Sequence, residues 1–251
     1  MREINNISYY DVKDIVEMFT SNETEESIIY YFESGELKGK KIEKKWFTTK
    51  TDIEEFISEK EGINYFFTDP QEIDLNDLVL KGRILDIGGG GEGIIGQLKG
   101  ENVISIDLRR SELEEAIKAG DIKSLKILMD AKDLKFLDNT FDTVTAFFSI
   151  MYTPKSDHYQ IFKESYRVLR KEGEFILWDP VIPKKFDKKK QLYAILLKIS
   201  IKNKKIITGY GTRWDKEQDI KYFVELLKEI SFKFVKKEIE KEFFCLGLQK
   251  I

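Results

Sequence analysis

The stretch Ile84-Leu85-Asp86-Ile87-Gly88-Gly89-Gly90-Gly91-Glu92-Gly93-Ile94-Ile95-Gly96-Gln97-Leu98 passes from an apolar strand through a glycine-dense turn into a helix. Glycine lets the backbone take positive φ and approach a ligand closely, and the start of the following helix offers unpaired N–H groups. That combination reads as a nucleotide cradle. The spacing Gly88-x-Gly90-x-x-Gly93 fits a dinucleotide fingerprint, and Asp107 lies about twenty residues on, where such a fingerprint places its ribose acid. Asp86, two residues before the first glycine, favours a different ligand. A pyrophosphate wants backbone donors, whereas a carboxylate beside the turn suits a cation. The glycine spacing alone leaves both readings open.

With 251 residues and 41% hydrophobic content, the chain can hold two modest domains with their own cores. A net charge of -3 exerts no global pull toward nucleic acid or anionic lipid. One cysteine, Cys245, and one histidine, His158, exclude an intramolecular disulfide and a multi-cysteine metal cluster, and no metal is expected. Cys245 alternates within a strand pattern and reads as a small buried hydrophobe. The polar start Met1-Arg2-Glu3-Ile4-Asn5-Asn6 and the lack of a long apolar run predict a soluble, cytoplasmic protein without a membrane partner. Lysine runs at Lys184-Lys185 and Lys188-Lys189-Lys190 read as solvated loop charge.

Residues 1–61 lack the strand–helix alternation that follows them. Helical spacing covers Tyr10 to Phe19, a second helix is expected from Thr24 through Phe32 with Gly35 as its stop, and Lys38 to Phe47 reads as a short basic hairpin. A capped helix begins at Thr51-Asp52-Ile53. Over residues 8–58 this order, with its Ser-Gly-x-Leu, basic wing, Trp46 and final helix, resembles the excisionase and MerR-like winged helix-turn-helix domains. The resemblance implies Lys40, Lys41, Lys44 and Lys45 as DNA backbone contacts. Against a groove-reading role, the ionisable residues around the second helix are Glu23, Glu25, Glu26, Glu33 and Glu36, with no Lys or Arg among them. Residues 62–81, with Asp69-Pro70 and a polar helix-like stretch, read as a connector.

From residue 82 to 251 strands and helices alternate, as in a doubly wound, mostly parallel α/β sheet with ligands at the carboxyl ends of its strands. Val103-Ile104-Ser105-Ile106-Asp107 is a strand ending in a carboxylate placed to take both ribose hydroxyls, and Ser111-Glu112-Leu113-Glu114 resembles a capping-box start. Next come Leu125 to Met129, Asp130-Ala131, Asp133-Leu134-Lys135-Phe136-Leu137-Asp138-Asn139-Thr140-Phe141-Asp142, and the strand Thr143 to Phe148. In this order the segment closely resembles class I S-adenosylmethionine-dependent methyltransferases of the small-molecule type. Arg167-Val168-Leu169-Arg170-Lys171-Glu172-Gly173 and the terminal strands Phe232 to Ile239 and Phe243 to Gln249 fit the same family, whose sheet ends in an antiparallel hairpin. The resemblance implies S-adenosylmethionine as cofactor, with Asp86, Gly88, Gly89 and Gly90 at its methionine end and Asp107 at the ribose. It also implies Asp130 at the adenine amine, with Ala131 donating its N–H. Leu108 and Ile150 are candidate adenine walls, and Ser149 borders the sulfonium. Glu92 stands where the family usually has glycine and is assigned no contact.

On the acceptor side Tyr152 is the leading candidate. His158, the other catalytic candidate, reads more simply as an exposed helix-start residue. Val181 to Asp215, long, aromatic and basic, is expected to cover the acceptor site and to offer Tyr210, Arg213 and Trp214 to the substrate. The acceptor itself, small molecule or otherwise, is not named by the sequence. An Asp/Asn-Pro-Pro-aromatic motif is absent after the fourth strand, as is an attacking cysteine, so DNA base methylation is excluded. A cofactor-sensing DNA-binding regulator and a nicotinamide-dependent dehydrogenase are the competing readings.

Overall fold

The computed structural model describes residues 2–4, 7–18, 23–202 and 204–251. Phe19, which closes the first helical pattern, lies outside the described residues. The chain divides into two units, Met1–Asn76 with Lys184–Glu217 and Asp77–Pro183 with Gln218–Ile251. This differs from the sequence expectation of an uninterrupted domain over 82–251, because residues 184–217 belong with the N-terminal segment.

The first unit opens with β1 (Arg2–Ile4), β2 (Ile7–Asp11), α1 (Val12–Met18), α2 (Glu25–Ser34), β3 (Lys40–Ile42), β4 (Lys45–Thr49) and α3 (Lys50–Glu61). Thr24 caps α2 through a reciprocal pair, its Oγ1 accepting from the Ser27 N–H while Ser27 Oγ accepts from the Thr24 N–H, and Gly35 ends the helix at φ 80°. The cap of α3 is Thr49, two residues before the expected start. Strands β3 and β4 are joined through Glu43 and Lys44, both at positive φ, as a tight two-residue hairpin requires. Where a polar helix-like connector was expected, the chain forms β5 (Tyr65–Phe67) and β6 (Gln71–Asp74). Both run parallel to β12 (Leu192–Ile201), which pairs antiparallel with β13 (Lys204–Arg213). Tyr10, Ile28, Phe32, Phe56, Ala194 and Leu196 share one core. Buried Glu54 ties the two sequence segments together, accepting from the Phe67 N–H at 3.1 Å and pairing with Lys190 at 2.6 Å.

The second unit is built on β7 (Ile84–Ile87), α4 (Ile94–Lys99), β8 (Val103–Asp107), α5 (Arg110–Ala119), β9 (Leu125–Leu128), β10 (Phe141–Phe147) and α6 (Lys155–Val168). It is completed by β11 (Leu169–Pro180), α7 (Ile220–Glu229), β14 (Phe232–Ile239) and β15 (Phe243–Lys250). The strand order is β14-β15-β11-β10-β7-β8-β9, with five parallel strands and an antiparallel terminal pair. Every residue of β7 is buried, as a central parallel strand covered on both faces demands. The order reverses between β7 and β10, which opens a crevice at their carboxyl ends. No side chain caps α5, so the capping box expected at Ser111 is not formed; the helix starts one residue earlier, at Arg110. Cys245 is buried in β15, and burial pushes its thiol up to about 12, as an inert core residue requires.

Arg167 at the end of α6 fixes the loop before β10. Its guanidinium donates to Leu134 O, Phe136 O, Asp138 and Glu164. Replacing it leaves two carbonyls and a half-buried carboxylate without their donor. Arg167→Met is expected to lower the stability of this unit by about 2 kcal/mol in denaturant unfolding.

Candidate active site

The glycine loop of the second unit is shaped by what lies beneath it. A side chain at Gly89 would meet Asp86 Oδ2 at 2.5 Å and Ser105 Cβ at 2.8 Å; one at Gly88 would collide with Ser149, and one at Gly90 with Glu112. The Gly88 and Gly89 N–H groups both donate to the Ile106 carbonyl, at 2.9 and 3.1 Å, and Gly91 donates to Glu112 O. These amides are therefore committed to the chain itself, which revises the expectation that the whole Gly88 to Gly90 backbone faces a ligand. Among the described residues, the Gly90 N–H has no acceptor. Gly93 and Gly96 have another role, leaving room for the buried Asp121 side chain.

Asp86 is buried and accepts from Thr145 Oγ1 at 2.7 Å. Burial pushes its carboxyl up to about 7; Thr145 and Lys126 pull it down, while the charges of Asp121 and Asp107 push it further up. Behind it, Ser105 Oγ lies 3.2 Å from Ser124 Oγ, and Ser124 and Lys126 both bond Asp121. Asp107 ends β8 with Oδ1 accepting from the Arg109 N–H, and its Oδ2 lies 3.0 Å from where a Gly90 side chain would begin. Beyond β9, Asp130 Oδ1 accepts from the Lys132 N–H, and Ala131 is half-buried beside it. Leu108, the residue after Asp107 at the sheet tip, is 64% exposed. Ile150 is fully buried in the core, so it is packing and not a ligand wall. Ser149 Oγ donates to Ile87 O and abuts Gly88.

Tyr152 lies on a single 3-10 turn, Ile150–Tyr152, just past β10. It is 47% exposed, and its hydroxyl has no partner among the described residues. Desolvation, then the charges of Glu92, Asp179 and Glu112, hold the phenol above its ordinary range, so it remains a neutral donor. The turn is held by Asp179, a buried acid at the end of β11 that accepts from the Met151 N–H at 3.3 Å and from Gln218 Nε2 at 2.7 Å. Neither was singled out in the sequence. Asp179 was findable, as another acid at a strand tip; Gln218 carries no sequence signal. His158 is not at the surface: it is fully buried and stacked on Phe223, with Nε2 3.3 Å from Thr153 O and Nδ1 3.1 Å from Tyr222 Oη. Both ring nitrogens are engaged, which leaves a structural role. Tyr210, Arg213 and Trp214 belong to the first unit, on or just after β13. Trp214 is buried against Phe66, Phe186 and Tyr193, which accounts for its place in the chain without a substrate.

The donor set fits an adenosyl cation. The cradle is closed to any side chain, strand-tip carboxylates stand at Asp86, Asp107 and Asp130, and an apolar Leu108 is left uncovered. Because the Asp86 carboxyl is held near 7 when folded and near 4 when unfolded, the folded chain binds the extra proton between those values. The stability it contributes is full below about 4 and is lost as pH rises through about 7. The advantage of wild type over Asp86→Asn is therefore expected to shrink between pH 5 and 8, by roughly 1.4 kcal/mol per pH unit at most, in thermal unfolding across that range.

Comparison with known proteins bears on the fold of this unit. The family described as a methyltransferase domain matches residues 85–177. A sterol methyltransferase-like protein of Botryococcus braunii is 28% identical over 47% of this chain and 32% of its own length. A ubiquinone/menaquinone biosynthesis C-methyltransferase of Brucella canis is 34% identical over 41% of this chain and 44% of its own. The chain thus spans less than half the length of these curated relatives. Among solved structures, a SAM-dependent methyltransferase of Methanosarcina mazei shares the fold with a TM-score of 0.51 at 18% identity, covering 68% of this chain and 94% of its own. No helix among the described residues is long and apolar enough to cross a membrane. Residues 85–177 thus match a methyltransferase-domain family, and the second unit has the fold of a SAM-dependent methyltransferase.

Proposed function

We propose that the protein transfers a methyl group from S-adenosylmethionine to a small-molecule acceptor. The observation that carries this reading is the strand reversal at β7/β10, where the glycine loop after β7 passes over Asp86 and beside Asp107 with no room for side chains at Gly88, Gly89 or Gly90. When bound, the cofactor supplies an activated methyl on a sulfonium. Asp86 supplies the countercharge at the methionine end, aided by the Gly90 N–H. Asp107 would accept from ribose hydroxyls, and Asp130 with the Ala131 N–H would hold the adenine amine and ring nitrogen, with Leu108 as an apolar wall. Tyr152 donates to the acceptor and orients it from the turn held by Asp179. Holding nucleophile and methyl carbon in line can supply roughly 7 to 11 kcal/mol of barrier reduction, so a dedicated base is optional. The names of the curated relatives, both methyltransferases of small organic compounds, favour an acceptor of that class.

A second reading attaches to residues 1–61. Two helices, a tight basic hairpin and a third helix support a winged helix-turn-helix-like module. Lys44 and Lys45 would be its phosphate contacts, since Lys40 already lies over the Tyr9 ring and Lys41 over Trp46 with Glu33 at 4.0 Å. The acidic surface of α2 opposes groove reading, which makes this the weaker proposal.

Calorimetry on the full chain tests the first reading. S-adenosylmethionine and S-adenosylhomocysteine are expected to bind and NAD not to, with affinity rising as pH climbs toward about 7 and levelling above it, because a cationic ligand favours ionised Asp86. Asp107→Ala is expected to lose at least tenfold in affinity with thermal unfolding unchanged. Binding of NAD alone would defeat the assignment. For the second reading, retention on nonspecific duplex at low salt should vanish when Lys40, Lys41, Lys44 and Lys45 become Ala; no retention by wild type removes DNA binding.

A further inference from the structure

The loop Lys184-Lys185-Phe186-Asp187-Lys188-Lys189-Lys190 carries five lysines and one acid inside a chain whose net charge is -3. Lys190 is spent on buried Glu54. Lys184, Lys185, Lys188 and Lys189 are exposed and have no acidic partner among the described residues. At their centre Phe186 is 66% exposed. It is not a loose side chain: its ring stands edge-on to Phe66 at 5.3 Å and to the buried Trp214 at 4.9 Å. Just after it, Asp187 Oδ1 accepts from the Lys189 N–H and closes a turn that presents the ring outward. Lys50 lies over the Phe66 face and brings a further cation to the same platform, though shared with Asp69.

We propose that this loop docks the protein on an anionic bilayer surface, with Phe186 entering the headgroup layer and the four free lysines lying against lipid phosphates. A single aromatic, braced from below and flanked on both sides by cations, suits a planar anionic surface with an apolar interior. Single-stranded nucleic acid asks for something different, a groove that tracks the backbone and several exposed rings for successive bases. Here the neighbouring rings Tyr193 and Trp214 are buried, and one ring alone reaches out. The proposal is independent of the cofactor reading.

The full chain is mixed with vesicles of phosphatidylcholine alone and of phosphatidylcholine with phosphatidylglycerol, and bound protein is sedimented. Binding is expected only to the anionic vesicles and should weaken with salt. Lysine-to-alanine changes at 184, 185, 188 and 189 should cut the partition coefficient about fivefold per residue at low salt. Phe186→Ala should weaken binding while its salt dependence persists, and Phe186→Trp should shift its emission to the blue on anionic vesicles only. Because all five side chains are exposed, unchanged thermal unfolding will show that the variants remain folded. The proposal is overturned if wild type ignores anionic vesicles, if the lysine variants bind as wild type does, or if Phe186→Ala has no effect. Stronger retention on oligonucleotide than on vesicles would likewise overturn it, in favour of nucleic acid.

Discussion

Asp86 Oδ2 and the side chain of Ser105 fill the volume beneath Gly89, so the loop after β7 can pass over them only as bare backbone. That close approach brings the Gly88 and Gly89 amides onto the Ile106 carbonyl and bends the chain across the end of β8, beside Asp107. Glu112 in α5 repeats the arrangement on the other side, packing where a Gly90 side chain would begin and holding the Gly91 amide. Strand tip, loop and helix are thus fixed to one another through the absence of side chains. Cofactor recognition depends on this rigidity, because a hydrogen-bonding edge discriminates only if it is held in place before the ligand arrives.

The cost of that arrangement is an acid deep in the protein. A buried carboxylate without compensation would be strongly destabilising. Thr145 gives it one donor, while behind the loop Asp121 pushes its carboxyl up more than Lys126, paired to Asp121, pulls it down. The remaining imbalance favours a positive ligand. Past β10 stands a phenol, Tyr152, without a partner among the described residues, on a short turn clamped by Asp179 and Gln218.

Much of the second unit was legible because its signals are local. Apolar strands end in Asp86, Asp107 and Asp130, glycines punctuate the turn, and the terminal strands alternate cleanly. What escaped was non-local. His158 looks like a solvent-facing helix start, yet α7 and its Phe223 and Tyr222 arrive from more than sixty residues away to bury it. Residues 184–217 resemble a cover loop because their partners, β5 and β6, are only three and four residues long, too short to read as strands alone. Which amides of the glycine loop are already satisfied depends on Ile106 and Glu112, and no spacing rule encodes that. In the first unit the helix caps and the basic hairpin were readable, while the exposed Phe186 acquires meaning only once Phe66 and Trp214 are seen beneath it.

The chain leaves the second unit after Ile182 and returns at Gln218, and these two residues face each other as an antiparallel bridge with hydrogen bonds of 2.8 and 2.9 Å. Exit and entry are therefore neighbours, and the intervening thirty-odd residues form a detour whose ends are already stitched shut. The seam joins the two segments of the second unit across the gap in their sequence. The stitch also passes through Gln218, whose side chain bonds the same Asp179 that holds the turn bearing Tyr152, so one residue serves both the seam and the turn.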